Sequence, residues 1–241
     1  MSNLRKLKYL ADRDFYPIII FPQYLQSQIN TTKQQESSKQ ANNLDERSLA
    51  KSQQLIVAKS NRKSIKSQGA DYRESMFDFQ VEADGIYGKS EPSFHKVLES
   101  ELSSRFKIYT QVKYRFNKST HATLDFLLFD QELNIGLDLE IDEPYSFKDQ
   151  TPCHTLEDPW YPNRDRLINQ RNLIVCRLAE HQVIKYPLGC LSLIKSIFSF
   201  IDGSAQIDMS LEEVDSWSTN DSKFLANHQY RTLLYEGLKV G

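Results

Sequence analysis

The fold is decided by two neighbouring stretches, Thr123-Leu-Asp-Phe-Leu-Leu-Phe-Asp130 and Ile135-Gly-Leu-Asp-Leu-Glu-Ile-Asp142. In the second stretch apolar and acidic residues alternate strictly from Leu137 to Asp142, which is the period of a β-strand. One face of this strand should therefore carry the apolar residues and the other face the acidic ones. The acidic residues are Asp138, Glu140 and Asp142.

A short turn at residues 130–134 would join the two stretches as a hairpin. Asp125 precedes Glu140 by fifteen positions, so this hairpin brings the two carboxyl groups side by side. Carboxylates that share a partly buried place repel each other, and a cation relieves that repulsion. The pattern therefore predicts a metal site formed by Asp125 and Glu140.

Composition limits the function only weakly. The 241 residues carry a formal net charge of −2, without the basic excess of many nucleic-acid-binding proteins. A nuclease can still hold phosphate through a metal and a local basic patch, so a nucleic-acid partner is not excluded. The odd number of cysteines and the absence of metal-ligand spacing argue against a disulfide framework or a zinc site.

No signal peptide is evident at the N-terminus. The longest early apolar run, residues 18–21, lies between Pro17 and Pro22 and is too short to span a membrane. We therefore expect a cytoplasmic protein with no membrane partner.

The chain divides into four predicted segments. Residues 1–25 form an N-terminal segment with one short strand, Tyr16–Phe21, which could extend the main sheet or bind a partner. Residues 26–75 form a low-complexity linker, residues 76–205 the main domain, and residues 206–241 a C-terminal helical extension.

The linker has a local excess of positive charge. Residues 31–75 contain nine Lys or Arg against five Asp or Glu. The segment is interpreted either as a solvated linker or as a basic arm that contacts nucleic acid, and it could also bind a protein partner.

A helix should begin at Ser90 or Glu91, because either can cap it and Pro92 is tolerated in the first turn. Its apolar stripe contains Phe94, Val97, Leu98 and Leu102. Glu91 falls on that inward face, where it is a candidate site residue. The alternative is that Glu91 only favours the helix N-terminus electrostatically. Glu101 is a second candidate on the same stripe.

Residues 108–116 alternate as a further strand, completing a three-stranded antiparallel meander. Strict alternation places Ile108, Val112, Tyr114 and Phe116 on one face. The polar face could carry Gln111 and Lys113 towards Asp125 and Glu140, or it could simply be solvated.

Pro144 ends the third strand, and a polar loop containing His154 follows. Asn163 is then expected to cap a helix over Arg164–Arg171, stopped by Asn172. The next strand, Leu173–Leu178, is reached through this helix, so it should lie parallel in the same sheet. Arg177 within it needs a carboxylate or a phosphate as partner.

Two further elements are predicted to pack on the main domain. They are an apolar helix over Pro187–Ile201 and a closing helix over Ser218–Tyr235.

These residues, in this order, resemble the PD-(D/E)XK nuclease superfamily. The resemblance implies a mixed α/β (α+β) fold with a restriction-endonuclease-like αβββαβ core and a mixed sheet, so that the main domain would be nuclease-like. The likeness is closer to the branch of the very-short-patch repair endonucleases. The positions that match this branch are Glu91, Asp125, Glu140-Ile-Asp142, His154, Arg164-Asp165 and Arg177.

The resemblance implies a metal-dependent endonuclease that hydrolyses phosphodiester bonds in DNA. Mg²⁺ (or Mn²⁺) would be held by Asp125, Glu140 and the backbone carbonyl of Ile141. Glu91 would position a metal-bound water, Asp142 would be a ligand or support one, and His154 would act as general base or acid. The alternative for His154 is an exposed loop residue without a role.

The superfamily lysine, two positions after the second acid, is absent here, and Asp142 stands in its place. The repair-endonuclease-like branch also lacks this lysine, and Lys113 is a substitute candidate. The second hypothesis is therefore a catalytically silent nuclease-fold module that binds nucleic acid or takes part in assembly.

A set of basic residues is interpreted as a nucleic-acid contact. Its members are Lys113, Arg164, Arg166, Arg171 and Arg177. For Arg177 the alternative is an ion pair with Asp165.

Overall fold

The structure, a computed structural model, describes residues 15–23, 25–26, 79–81, 88–117 and 119–237. The strands are β1 (Phe15–Tyr16), β2 (Ile18–Ile20), β3 (Phe79–Val81), β4 (Phe106–Arg115), β5 (His121–Asp130), β6 (Ile135–Asp142), β7 (Ile174–Ala179) and β8 (Val214–Asp215). The helices are α1 (Glu91–Leu102), α2 (Trp160–Gln170), α3 (Glu180–Lys185), α4 (Pro187–Ile201), α5 (Thr219–Asn227) and α6 (Tyr230–Gly237). Apart from Gln26, the predicted linker over residues 26–75 lies outside the described residues.

The fold is mixed α/β, built on a mixed sheet with strand order β2-β7-β6-β5-β4-β3. Strands β4, β5 and β6 form the predicted antiparallel meander, with β5 and β6 joined by a tight turn at residues 131–134. Strand β7 runs parallel to β6 after the α2 crossover, as the sequence predicted. The acidic strand β6 therefore lies in the middle of the sheet.

Both faces of β6 are covered, and all eight of its residues are buried. Leu137, Leu139 and Ile141 pack into the larger apolar core, together with the inward residues of α1 and α4. Helix α2 covers the opposite face, where Ile168 packs against β7. The alternating carboxylates are thus turned towards a buried layer, and their charges need partners there.

In strands β4 and β5, the apolar side chains switch from one face of the sheet to the other partway along the strand. Ile108 packs against the larger core, whereas Val112 and Tyr114 belong to the core under α2. Gln111 lies between them with a φ of 49°, so the strict alternation predicted for residues 108–116 is wrong beyond this residue. The change of face is a local backbone irregularity, of the kind found beside functional sites.

The N-terminal strand is part of the main sheet. Ile18–Ile20 pairs antiparallel with β7, which confirms the edge-strand interpretation, while Phe15–Tyr16 pairs with β8 near the C-terminus. A cis peptide bond at Tyr16–Pro17 separates the two short strands. The described parts of the two terminal segments therefore pack on the main domain.

One of the predicted helices is confirmed, and two differ from their predictions. Helix α4 has its predicted bounds, whereas α2 begins at Trp160 rather than Arg164, because its first turn accommodates Pro162. The closing helix is two helices, α5 and α6, because the chain turns at Gln229, whose φ is 52°. Glu101 is exposed and pairs with Lys195 at 3.1 Å, so its placement on the buried stripe was wrong.

In the part of the chain that the structure describes, no helix combines the length and the apolar character that crossing a membrane requires.

Candidate active site

Asp125 and Glu140 are neighbours across the β5–β6 hairpin, as predicted. The regular pairing of these strands reaches Phe126 opposite Leu139, which puts Asp125 next in register to Glu140. There the backbone N–H of Asp125 donates to Glu140 Oε1 at 3.1 Å, and the backbone N–H of Ile141 donates to Asp125 Oδ2 at 2.8 Å. The carboxylates thus satisfy N–H groups where the strand-to-strand hydrogen bonding stops.

The two carboxyl groups differ in charge state. Burial and the nearby charges of Glu140 and Glu91 hold the pKa of Asp125 well above its usual range. Burial would also raise the pKa of Glu140, but the charges of Arg164 and Arg177 outweigh it, and the pKa is lowered. Glu140 is therefore the stronger acid of the pair, while Asp125 ionises less readily unless a bound cation offsets the neighbouring negative charge.

Glu91 approaches from the first turn of α1 and is 4% exposed. It accepts hydrogen bonds from the backbone N–H of Gly88 at 2.5 Å and from Gln111 Nε2 at 2.8 Å. Burial raises its pKa to about 7, with smaller contributions from the charges of Glu140 and Glu143. The burial of Glu91 and its hydrogen bond from Gln111 confirm that its side chain points inward. The side chain of Ser90 does not cap the helix.

Gly88 lies where a side chain would not fit. A Cβ at this position would meet Glu143 Oε1 and would lie 2.8 Å from Glu91 Oε1. The close backbone approach allows two carboxyl groups, Glu91 and Glu143, to meet beside the same peptide.

Asp138 and Arg164 form a buried pair under the site. Arg164 Nη1 donates to Asp138 Oδ2 at 3.0 Å, and Arg164 Nη2 lies 2.6 Å from Glu140 Oε1. Asp138 was not among the predicted site residues, although its place in the alternating acidic row was the available signal. Burial raises its pKa, while the charge of Arg164 opposes that rise.

Asp142 is 1% exposed and is held from three sides. Arg177 donates to both carboxylate oxygens, from Nε at 2.7 Å and from Nη2 at 2.5 Å. The Tyr16 hydroxyl donates to Asp142 Oδ2 at 2.7 Å, and His154 Nδ1 lies 2.8 Å from Asp142 Oδ1. Burial alone would raise the pKa of Asp142, but the neighbouring Arg177 and His154 lower it, so the group is an anion.

His154 joins the cluster from the loop between β6 and α2. Its backbone has a φ of 52°, and its ring stacks on Tyr161 with centroids 4.5 Å apart. Its Nδ1 also lies 3.1 Å from Arg177 Nη2. Because a carboxylate oxygen accepts hydrogen bonds, Nδ1–H of His154 donates to Asp142 Oδ1, and Arg177 Nη2, itself a donor, lies beside this contact.

The predicted basic residues fall into two groups. Arg164 and Arg177 are 3% and 1% exposed, and their guanidinium groups are occupied by carboxylates, including a 2.9 Å pair between Arg177 and Asp165. The structure thus favours ion pairing within the protein for both, because neither presents a surface to a phosphate. Arg166 and Arg171 are exposed on α2 and just after it, and Lys113 is partly exposed on β4.

Sequence reasoning missed Tyr16 because it precedes Asp142 by 126 positions and has no pattern of its own. The N-terminal strand brings it to the site by pairing with β7 through Ile18–Ile20.

The side-chain oxygens of this cluster are the kind of ligand that a hard cation prefers. Glu91, Asp125 and Glu140 offer only carboxylate oxygens, and burial together with the charge of Glu140 raises the pKa values of Glu91 and Asp125. Within the described ranges, however, no group of three or more His, Cys, Asp or Glu side chains has the arrangement to hold a metal ion. Arg164 already neutralises part of the charge of Glu140.

Comparison of the chain with models of known protein families, with curated proteins and with solved structures found no match.

Proposed function

We propose that the protein is a metal-dependent endonuclease that hydrolyses phosphodiester bonds in DNA. The observation that carries this proposal is the carboxyl cluster of Asp125, Glu140 and Glu91, where burial, and secondly the charge of Glu140, raises the pKa of Asp125 and Glu91. Apolar residues would be the stable choice at such a place. A cluster of mutually repelling acids is instead what a site for a divalent cation requires.

The order of elements supports the restriction-endonuclease-like core that the resemblance implies. Helix α1, the meander β4-β5-β6, helix α2 and the parallel strand β7 follow one another in that order. Glu91, Asp125 and Glu140 come from the first helix and from the second and third strands of the meander. These are the elements on which the resemblance would place the superfamily's acidic residues.

Asp125, Glu140 and the backbone carbonyl of Ile141 would hold Mg²⁺ or Mn²⁺. When bound, this cation would lower the pKa of a coordinated water and neutralise charge on the phosphate. Glu91 would orient that water from the side of α1. Arg164 keeps Glu140 ionised and fixes its orientation, so that Asp125 and Glu140 act as a pair of unequal basicity.

Asp142, Arg177 and His154 form the second part of the proposed machinery. Asp142 holds the imidazole through Nδ1, which directs Nε2 to take up or deliver a proton at the reacting oxygen. Arg177 keeps Asp142 ionised. This arrangement supplies a proton carrier without the usual lysine.

The second candidate is a nuclease-fold module that binds nucleic acid without cleaving it. The observation favouring it is that Arg164 and Arg177 already form ion pairs with the buried carboxyl groups of Asp138, Glu140, Asp142 and Asp165. In that case the acidic layer would be a structural ion-pair network, and the protein would need no metal.

The experiment that tests the proposal is cleavage of supercoiled plasmid DNA by the wild type, Glu140→Gln and Glu101→Gln in Mg²⁺, Mn²⁺ or EDTA. Glu101 is an exposed glutamate and provides the matched control. We expect metal-dependent nicking or linearisation by the wild type and Glu101→Gln, but not by Glu140→Gln. Equal cleavage by all three would identify a contaminant and contradict the proposal.

Thermal unfolding separates the two candidates when no cleavage is seen. A metal that binds the folded state raises the midpoint temperature. A wild-type shift in Mg²⁺ or Mn²⁺ that Glu140→Gln lacks would support the metal site, and no shift would favour the binding module.

A further inference from the structure

We infer that Tyr16 and Trp217, which come from opposite ends of the described chain, are positioning residues that hold Asp142 and the His154 loop in their working geometry. This inference rests on the proposed function, because it concerns the same site. Neither residue lies in the segment, about residues 88–185, that carries the resemblance.

The two residues form one unit. Their rings stack with centroids 5.1 Å apart and planes inclined by 21°. Tyr16 is 3% exposed and Trp217 is 6% exposed, and both belong to a small apolar core with Ile18 and Ala179. Pairing of Tyr16 with Val214 joins the two chain segments close to the stack.

Each member of the pair donates one hydrogen bond to the site. The Tyr16 hydroxyl donates at 2.7 Å to Asp142 Oδ2, the same oxygen that accepts from Arg177 Nε. Trp217 Nε1 donates to the carbonyl oxygen of Cys153 at 2.9 Å, one residue before His154. One bond therefore fixes the carboxylate and the other fixes the loop that carries the imidazole.

The loop needs such support because its backbone is strained. His154 has a φ of 52°, a region that non-glycine residues rarely adopt. Cys153 is tied to the end of β6, through its N–H to the carbonyl of Pro144 and its Sγ to the carbonyl of Glu143. The Trp217 side chain adds a bond from the C-terminal segment, which also contacts the loop where the N–H of Leu156 donates to the carbonyl of Trp217 at 3.0 Å.

The protein contains its own reporter for this loop. Cys176 and Cys190 are fully buried, while Cys153 is partly exposed. Burial raises the pKa of Cys153 to about 12, so its thiol should react slowly in the native state. The rate of native-state alkylation of Cys153, followed by mass spectrometry with Cys153→Ser as the blank, reports opening of the loop.

The test compares Tyr16→Phe and Trp217→Phe with Tyr186→Phe and Trp160→Phe, whose rings are 36% and 41% exposed. Tyr16→Phe removes one hydroxyl and keeps the ring stack, so it should fold. We expect alkylation of Cys153 to accelerate about fivefold in Trp217→Phe, as loss of one hydrogen bond predicts. With plasmid DNA, kcat should fall roughly tenfold in Tyr16→Phe with KM unchanged, because only a supporting contact is lost.

Each outcome decides the inference. If the wild type cleaves and both variants match it in kcat and alkylation, the positioning role is overturned. If the wild type does not cleave, thermal unfolding with metal tests the proposed function, and the alkylation rates alone decide this inference. Faster alkylation in Trp217→Phe than in Trp160→Phe then supports the role of Trp217 in holding the His154 loop, and equal rates overturn it.

Discussion

Glu140 accepts a hydrogen bond from the backbone N–H of Asp125 at 3.1 Å, at the point where β5 and β6 cease to pair regularly. Asp125 in turn accepts from the backbone N–H of Ile141 at 2.8 Å. Each strand therefore contributes one side chain that accepts a hydrogen bond from a backbone N–H of the other strand, and both side chains are acidic. An amide would satisfy the same N–H groups without the repulsion, so the charges themselves require an explanation by function.

Asp125→Asn should stabilise the metal-free protein. Asparagine keeps an oxygen for the N–H of Ile141 but removes the ionisation that burial and Glu140 disfavour. At pH 8 in EDTA we expect a gain of about 1 kcal/mol, or roughly 2–4 °C in Tm for a chain of this size. The stabilisation by Mg²⁺ or Mn²⁺ should disappear in the same variant.

Differential scanning calorimetry with EDTA and with metal measures both effects. Asp149→Asn is the matched control, since Asp149 is exposed on the loop after β6. If Asp125→Asn is less stable than wild type in EDTA, the Asp125 carboxylate stabilises the fold as an anion, and its role as a metal ligand is contradicted.

Glu91→Gln should change the pH dependence of stability. The folded-state pKa of Glu91 is raised from 4.5 to about 7, because of burial and the charges of Glu140 and Glu143. Its protonated form therefore contributes stability that is fully present below pH 4.5 and is lost as the pH rises through 7. Relative to wild type, Glu91→Gln should gain on the order of 2 kcal/mol between pH 4.5 and pH 8.

Urea unfolding in EDTA at several pH values measures how the stability difference between Glu91→Gln and wild type changes with pH. Glu101→Gln, on the same helix, is the control. Altered hydrogen bonds to Gly88 and Gln111 would change the free energy of unfolding of the variant by the same amount at every pH. Only the change of the difference with pH therefore tests the raised pKa. A difference between variant and wild type that stays constant from pH 4.5 to pH 8 would contradict the raised pKa.

The sequence predicted the arrangement around Asp125 and Glu140 because those signals are local. The alternation in β6 and the short turn after Asp130 determine a hairpin, and the hairpin determines which residues are opposite. The apolar helix α4 has its predicted bounds for the same reason, since Pro187 begins it and its stripe is continuous.

What the sequence did not predict depends on backbone irregularity or on distant contacts. The positive φ of Gln111 reverses the faces of β4, and a polar residue within an alternating pattern gives no sign of this. The bond between Tyr16 and Asp142 depends on how the N-terminal strand pairs with β7. The pattern offered two partners for Arg177, and only the packing of α2 against the sheet distinguishes a carboxylate from a phosphate.

Arg177→Met should destabilise the protein strongly. It leaves Asp142 and Asp165 buried without the guanidinium that joins them. Removal of one partner of a buried ion pair typically costs about 3–5 kcal/mol. Urea unfolding at pH 7 measures the loss, and Arg166→Met on exposed α2 should change stability by less than about 0.5 kcal/mol. Equal effects would mean that Arg177 is free for another partner.

Arg166→Ala should weaken DNA binding without affecting the fold. Arg166 is exposed on α2, the helix that contributes the buried Arg164 to the site. If it contacts a phosphate, its loss should reduce the slope of log K against log salt concentration by about 0.9, equally for unrelated sequences. Fluorescence anisotropy with duplex DNA, in Ca²⁺ to avoid cleavage, measures this slope. Lys195→Ala, on the opposite layer, is the control, and an unchanged slope in Arg166→Ala would place the nucleic acid on another surface.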